Sequence, residues 1–285
     1  MSRYIYVNGR YLPRRAASVS VEDRGYQFAD GVYEVCEVRG GRLVDERRHM
    51  ERLTRSLKEM RLREPMPLNA LSVVLRETVR RNRVIDGLVY LQITRGVARR
   101  DFYFPDETTP PTLVVTARSL DRAQIAGFAE TGVSVITLPD NRWERVDIKS
   151  VSLLPNVLAK QAARERGARE AWFVDKDGCV TEGASSNAWI VTDKGTVVTR
   201  PATAGILRGI TRTVLLDVIG AQGLTLEERP FTVGEALAAR EAFLTAATQT
   251  VMPIVQIDGK TIGNGVPGPV ATALRQSFHR HAELG

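Results

Sequence analysis

Lys149 is a candidate nucleophile because apolar residues surround it in the sequence. It follows Asp147 and Ile148 and precedes Leu153 and Leu154 by a few positions. Burial disfavours the charged form of a lysine, and a neutral amine is a nucleophile that forms a Schiff base with an aldehyde. The alternative is a lysine whose stem lies along apolar surface with its ammonium group in water. The segment alone favours this alternative, so the choice depends on groups elsewhere in the chain.

A carboxylate beside small residues is the second chemical feature. Glu182 is followed by Gly183, Ala184 and two serines, with a strand predicted directly after them. A loop of small residues allows a flat ring to approach the backbone closely. An ordinary turn that carries a glutamate is the alternative interpretation.

A candidate phosphate site lies where Gly209 and Thr211 begin a helix predicted over Ile210–Ile219. The free N–H groups and the dipole at a helix N-terminus favour an anion. A helix start without a ligand is the alternative. Thr245–Thr250 is a further cluster of small and hydroxyl residues.

Tyr33, in a predicted strand, and Arg100, in a predicted loop, are candidate ligand-binding residues. Tyr33 lies in an alternating strand, where its phenol either packs on the sheet or points at a ligand. Arg100 lies in a basic loop directly after the strand predicted over Leu88–Thr94. Arginine captures carboxylates through two parallel hydrogen bonds, and a surface arginine cluster is an equal alternative.

His49 and Arg52 are three positions apart in an amphipathic helix predicted over His49–Met60. Residues at this spacing share one helix face. The pair forms either a solvated basic edge or an anion site built from Arg52 with His49 beside it.

The order of strands and helices predicts two domains that position these groups. Tyr4–Val7, an Asn-Gly turn and Arg10–Leu12 predict a hairpin. Arg118–Ile125 is the first polar stretch after a full set of strands and helices. We therefore expect an N-terminal domain over residues 1–117, a linker over 118–123 and a C-terminal domain over 124–285.

Composition argues against a nucleic-acid-binding, metal-binding or membrane-spanning protein. The 285 residues are 43% hydrophobic with a net charge of +7, but the basic residues are scattered and no nucleic-acid-binding motif is present. Cys36 and Cys179 are far apart, which argues against a metal site and fits a reducing compartment. We find neither a signal-peptide core nor a run of about 18 to 20 apolar residues, and expect a soluble cytoplasmic protein without membrane or nucleic-acid partners.

Several motifs together resemble the class IV, pyridoxal-phosphate-dependent aminotransferases, and most closely the D-amino-acid aminotransferases among them. In chain order the motifs are Tyr26–Glu34, His49-x-x-Arg52, Thr94-Arg95-Gly96, Lys149–Asn156, Glu182–Asn187 and Leu207–Arg212. The resemblance covers nearly the whole chain. It implies an α+β, two-domain fold of type IV, with pyridoxal 5'-phosphate between the domains and a homodimeric assembly.

The resemblance also implies roles for single residues. Lys149 would form the Schiff base with the cofactor and transfer the substrate proton, and Glu182 would pair with the pyridine nitrogen. Arg52, the N–H groups of Ile210 and Thr211, and Thr248 or a neighbour would hold the phosphate. The remaining cofactor contacts expected are Ser185, Ser186, Asn187, Leu207, Gly209 and Ala247. The substrate contacts expected are Tyr33, Arg100 and Phe102.

Three positions depart from the family pattern. Phe102 stands where D-amino-acid enzymes often have a histidine, so one carboxylate ligand is missing. Whether Arg39, Arg99 or Arg142 compensates for it is left open by the sequence. Ala247 replaces a common threonine near the phosphate, and Ala184 replaces a more usual serine.

The expected reaction is transamination between a D-alanine-like D-amino acid and a 2-oxo acid such as 2-oxoglutarate or pyruvate. Three rival activities use the same cofactor: those of a branched-chain L-amino-acid aminotransferase, an (R)-amine transaminase and an aminodeoxychorismate lyase. A basic, anion-binding module without catalysis is the rival outside enzymes.

Overall fold

Six strands form the first sheet, in a computed structural model that describes residues 2–203 and 205–285. The strands are β1 (Tyr4–Val7), β2 (Arg10–Pro13), β3 (Gly31–Arg39), β4 (Arg42–Leu43), β5 (Gly87–Thr94) and β6 (Thr112–Ser119). Their order is β2-β1-β6-β5-β3-β4, and all neighbours are antiparallel. The predicted hairpin is confirmed, because Asn8 and Gly9 adopt the positive φ angles of 43° and 93° that an Asn-Gly turn requires.

Three α-helices accompany this sheet: α1 (Arg24–Phe28), α2 (Glu46–Glu59) and α3 (Leu68–Asn82). A short 3-10 helix over Arg14–Ala16 follows β2. Leu53 and Leu57 of α2 share one hydrophobic cluster with Leu75 of α3 and with Val32 and Val38 of β3. The apolar stripe of each of these two longer helices therefore covers the buried face of the sheet. Helix α2 begins earlier than the sequence pattern predicts, at Glu46.

The segment that carries Lys149 groups with the first sheet. The chain divides into two units, of which the first runs to Asp121 and adds Ile148–Ser152 and Glu283–Gly285. Backbone hydrogen bonds explain the first addition, because the Tyr33 N–H donates to the Lys149 carbonyl and the Val151 N–H donates to the Gly31 carbonyl, both at 3.0 Å. The sequence placed Lys149 in the domain of residues 124–285. Pairing between segments distant in the sequence leaves no periodic pattern, so this contact with β3 could not be predicted.

The boundary between the units also differs from the predicted linker at residues 118–123. Strand β6 continues to Ser119, and the second unit begins with Arg122. The first residues of the expected linker are thus hydrogen-bonded strand, because Ser119 pairs with Gly87 of β5.

The second unit contains a nine-stranded mixed sheet. Its strands are β7 (Val133–Pro139), β8 (Glu170–Val174), β9 (Val180–Gly183), β10 (Asn187–Val191), β11 (Val197–Thr199), β12 (Leu226–Glu228), β13 (Glu241–Ala246), β14 (Thr250–Ile257) and β15 (Lys260–Thr261). The order is β12-β11-β10-β13-β14-β7-β8-β9, and β15 pairs with β14. Three pairs are parallel, namely β11–β12, β14–β7 and β7–β8.

Both faces of this sheet are buried near its centre. Its helices are α4 (Arg122–Thr131), α5 (Leu154–Glu165), α6 (Ile210–Ala221), α7 (Val233–Ala238) and α8 (Pro269–His281). Along β10, Ala188 and Ile190 belong to one hydrophobic cluster, whereas Trp189 and Val191 belong to another that includes residues of α6 and α8. A strand covered on both faces reads as a nearly continuous apolar run, as β10 does after Asn187. None of the described helices is long and apolar enough to span a bilayer.

Candidate active site

Lys149 and Tyr33 lie together in the first unit. The Lys149 Nζ is 4.2 Å from the centroid of the Tyr33 ring, because the segment around Lys149 is hydrogen-bonded to β3. A second ring, that of Tyr90, lies 5.6 Å from the Tyr33 ring. The quadrupole of an aromatic ring attracts a lysine ammonium group that lies above the ring face. Two of the predicted site residues are therefore adjacent, with the amine confined beside a phenol.

Glu34 forms a buried ionic network with two other predicted residues. Arg52 donates from Nε to Glu34 Oε1 at 2.7 Å and from Nη2 to Oε2 at 2.8 Å. The His49 Nδ1 lies 2.7 Å from the same Oε2. Burial by itself raises the pKa of the Glu34 carboxyl, but Arg52 and His49 more than offset this and hold the pKa well below its usual range. The pair His49 and Arg52 thus faces a carboxylate inside the fold.

The sequence placed Glu34 on a strand face but gave it no predicted role. It shares the buried face of β3 with Val32 and Cys36. A buried carboxylate on an otherwise apolar strand face requires a cationic partner. The position of Glu34 between Val32 and Cys36 was therefore the signal that could have predicted its pairing with Arg52.

Arg100 and Phe102 lie in an exposed loop of the first unit. The Arg100 guanidinium packs on the Phe28 ring at 4.6 Å, and the Phe102 ring lies 5.6 Å from the Phe28 ring. The base of the loop is fixed, because Arg95 donates to Asp30 from Nε at 2.7 Å and from Nη2 at 3.0 Å. The structure therefore presents Arg100 on a rigid support, with Phe28 rather than Tyr33 as its aromatic neighbour.

Glu182 is a buried carboxylate of the second unit. Its oxygens accept hydrogen bonds from the Asn187 Nδ2 at 3.0 Å, the Leu207 N–H at 3.2 Å and the Arg142 Nη1 at 2.6 Å. Asn187 also donates to the Leu207 carbonyl at 2.9 Å. Two predicted cofactor residues, Asn187 and Leu207, therefore act here by fixing the Glu182 carboxylate.

The serines after Glu182 are engaged by another buried acid. Ser185 Oγ and Ser186 Oγ donate to Glu170 Oε2 at 2.7 and 3.2 Å. The Gly183 N–H donates to the Ser186 carbonyl at 2.7 Å, and a Cβ on Gly183 would lie 2.2 Å from Ser186 Oγ. This tight turn requires glycine and orients the loop that carries both serines.

The start of α6 is open to an anion. Gly209 is its N-cap and offers no side-chain hydrogen bond to the first turn, in which Ile210 and Thr211 are buried. A Cβ on Gly209 would lie 2.2 Å from Asn187 Oδ1, so the backbone approaches Asn187 as only glycine allows. The N–H groups of an uncapped first turn are available to a phosphate.

Ala247 and Thr248 occupy the turn between β13 and β14. The Gln249 N–H donates to the Ala246 carbonyl at 3.0 Å, which closes this turn. Both residues are half-buried. The described part of the chain contains no cluster of three or more histidine, cysteine or acidic residues that could hold a metal ion.

Comparison with known proteins gives consistent matches. Residues 31–257 match the family model described as Amino-transferase class IV. The chain is 43% identical to the D-alanine aminotransferase of Bacillus licheniformis, over 96% of each chain. It is 38% identical to the D-alanine aminotransferase of Staphylococcus haemolyticus, over 98% of each chain.

A solved structure shares the fold. It is that of the branched-chain aminotransferase of the thermophilic archaeon Thermoproteus uzoniensis with norvaline. Its TM-score is 0.85 at 26% identity, over 100% of this chain and 99% of that one. The predicted family and the predicted α+β fold of type IV are confirmed. The chain belongs to the class IV aminotransferases.

Proposed function

We propose that this protein catalyses transamination between a D-alanine-like D-amino acid and a 2-oxo acid such as 2-oxoglutarate or pyruvate. The observation that carries the proposal is the Lys149 amine held 4.2 Å from the Tyr33 ring centroid, in a chain 43% identical to a D-alanine aminotransferase. Branched-chain L-amino-acid transamination is the main rival, because the Thermoproteus uzoniensis structure carries that name.

The donor and acceptor groups fit pyridoxal 5'-phosphate, the cofactor of class IV aminotransferases. Lys149 supplies an amine for its aldehyde, the buried Glu182 carboxylate supplies an anion for its ring nitrogen, and the uncapped start of α6 supplies N–H groups for its phosphate. Arg52 adds a guanidinium in the same unit as Lys149, and Thr248 is the hydroxyl proposed for the phosphate. When bound, the cofactor supplies an electron sink for the charge left on the substrate Cα.

The chain's own groups would then divide the work of the reaction. Lys149 removes the proton from the substrate Cα, since its amine lies 4.2 Å from the ring centroid of the tyrosine proposed to contact the substrate. Glu182, oriented by the hydrogen bonds of Asn187 and Leu207, would face the positive charge of a bound ring with its carboxylate. Tyr33 and Arg100 bind the substrate carboxylate.

A half-reaction tests the stereochemistry. We expect D-alanine to convert the yellow holoprotein to its pyridoxamine form, with no conversion by L-leucine. Conversion by L-leucine alone would assign the protein to the branched-chain enzymes. Conversion by an (R)-amine without a carboxylate would identify an amine transaminase, and release of 4-aminobenzoate from aminodeoxychorismate would identify a lyase.

Arg100→Ala tests the substrate site. We expect the KM for D-alanine to rise roughly 10- to 100-fold, because a charge-assisted hydrogen bond contributes about 1.5–3 kcal/mol. Arg118→Ala is the control, since Arg118 is an exposed arginine of β6 in the same unit and has no proposed role in substrate binding. Equal KM values for the two variants would remove Arg100 from the substrate site.

A homodimer is the proposed assembly, with the cytoplasm as its proposed location. Aromatic side chains near the Arg100 loop are largely exposed in the single chain, with exposed fractions of 86% for Phe102, 82% for Tyr103 and 79% for Tyr26. A second copy would bury this apolar surface. Light scattering on the purified protein measures the mass directly, and a monomer at catalytic concentrations would contradict the proposal.

Both cysteines are free, which fits a reducing compartment.

A further inference from the structure

Arg142 is held on three sides within the second unit. It lies in the loop that follows β7, and its side chain is 5% exposed. It donates from Nε to Asp140 Oδ1 at 2.9 Å and from Nη2 to Asp140 Oδ2 at 2.8 Å. The ring of Phe173 lies 4.5 Å from the guanidinium carbon. The planar guanidinium therefore has a defined orientation.

This orientation directs the remaining amino group at Glu182. The Arg142 Nη1 donates to Glu182 Oε1 at 2.6 Å. Arg142 thus bridges two carboxylates, with Asp140 on one edge of the guanidinium and Glu182 on the other. The sequence left Arg142 open as a substitute ligand for the substrate carboxylate, but its guanidinium is already paired with two acids.

Asp140 is anchored independently of Arg142. Its N–H donates to the Val174 carbonyl of β8 at 2.8 Å, and its Oδ2 accepts from the Thr181 Oγ1 of β9 at 2.8 Å. Thr181 directly precedes Glu182 in β9. The three charged groups are therefore fixed to the same pair of neighbouring strands.

The charges of Asp140, Arg142 and Glu182 do not cancel. Burial raises the pKa of Asp140, but hydrogen bonds from Arg142 and Thr181 lower it by more, so the net direction is downward. Burial lowers the pKa of Arg142, but Asp140 and Glu182 raise it above its usual value. With Asp140 and Glu182 ionised, the three groups carry one net negative charge. An isolated pair of Arg142 and Glu182 would be neutral and would attract a ring proton less strongly.

We propose that Asp140 and Arg142 are positioning residues that fix Glu182 and maintain one net negative charge for the protonated ring nitrogen of the cofactor. The inference rests on the proposed function, in which Glu182 pairs with that nitrogen. Arg142 supplies the orientation, and Asp140 restores the charge that Arg142 would otherwise neutralise. Loss of the Asp140 charge, or of the hydrogen bonds by which Arg142 orients Glu182, weakens the interaction between Glu182 and the ring nitrogen.

The test compares two ligands on the apoprotein: pyridoxal 5'-phosphate and its analogue in which carbon replaces the ring nitrogen. The ratio of their dissociation constants reports the ring nitrogen alone, because aldehyde and phosphate are shared. We expect Asp140→Asn to reduce the preference for the nitrogen-containing ligand about tenfold, since one unit of charge near the nitrogen is lost. Arg142→Lys keeps the positive charge and loses the planar pairing with both carboxylates, so we expect it to reduce the preference as well, because Glu182 loses its fixed orientation.

Asp175→Asn is the matched control. Asp175 also pairs with an arginine of the second unit, accepting from the Arg200 Nη1 at 2.7 Å. Its Oδ1 accepts from the backbone N–H groups of Asp177 and Cys179, so its bonds serve a turn instead of Glu182. Its ligand ratio should equal that of the wild type. Thermal unfolding of each apoprotein separates this effect from a loss of folding.

Activity provides a second readout. A positioning role predicts a fall in kcat for D-alanine with little change in KM in Asp140→Asn and Arg142→Lys. An unchanged ligand ratio in Asp140→Asn, or a KM raised tenfold with unchanged kcat in Arg142→Lys, would overturn the inference. Failure of this inference and failure of the proposed D-amino-acid activity are distinguishable. The second would appear as an absent half-reaction with D-alanine, whereas the ratio of the two dissociation constants can still be measured.

Discussion

Lys149→Ala is expected to lower the rate of transamination by ~10,000-fold or more and to abolish the lysine-linked colour of the protein. The variant loses both the amine that binds the aldehyde and the base that removes the substrate proton. Its backbone contacts persist, because the hydrogen bond between the Tyr33 N–H and the Lys149 carbonyl does not involve the side chain. Steady-state turnover and the absorbance of bound cofactor measure the two losses.

Lys58→Ala is the control for this variant. Lys58 is an exposed lysine of α2 in the same unit, so its removal tests the general effect of losing one lysine charge. Near-normal turnover is expected for Lys58→Ala. If Lys149→Ala kept near-normal turnover, the assignment of the protein as a lysine-dependent transaminase would be wrong.

Glu34→Gln is expected to reduce the free energy of unfolding by about 3–5 kcal/mol, the range measured when one partner of a buried ion pair is removed. Glu34 is fully buried, and its carboxylate balances the Arg52 guanidinium. The amide of glutamine leaves that guanidinium without the negative charge that faces it inside the fold. Chemical denaturation of both proteins measures the difference.

The same ion pair predicts a dependence of stability on pH. The pKa of Glu34 is lowered in the folded protein, so its contribution is fully present above the unfolded value of about 4.3 and is lost as the pH falls below it. The stability difference between wild type and Glu34→Gln should therefore shrink on acidification below about pH 4.

Glu77→Gln provides the comparison for an exposed ion pair. Glu77 accepts hydrogen bonds from Arg80 and Arg81 at the surface of α3. Water screens such pairs, so we expect no resolvable loss of stability at neutral pH. A loss in Glu34→Gln no larger than that in Glu77→Gln would show that the buried network does not stabilise the fold.

Local sequence determined the elements whose signals lie within a few residues. The Asn8-Gly9 turn specified the first hairpin because its residues tolerate positive φ angles. Alternation along β3 placed Tyr33 opposite Glu34, and Gly209 marked the start of α6. The motif around Lys149 indicated the family, since reactive groups recur in a fixed order along the chain.

Tertiary structure decided how these groups are paired. Lys149 joined the first unit through hydrogen bonds to β3, more than a hundred residues away in sequence. Glu34 pairs with Arg52, and Glu182 pairs with Arg142, because the fold brings separate strands, helices and loops into contact. Periodicity reports which face a side chain occupies but not which charge lies opposite. The sequence by itself therefore determined the chemistry of the residues, and the fold decided which of them act together.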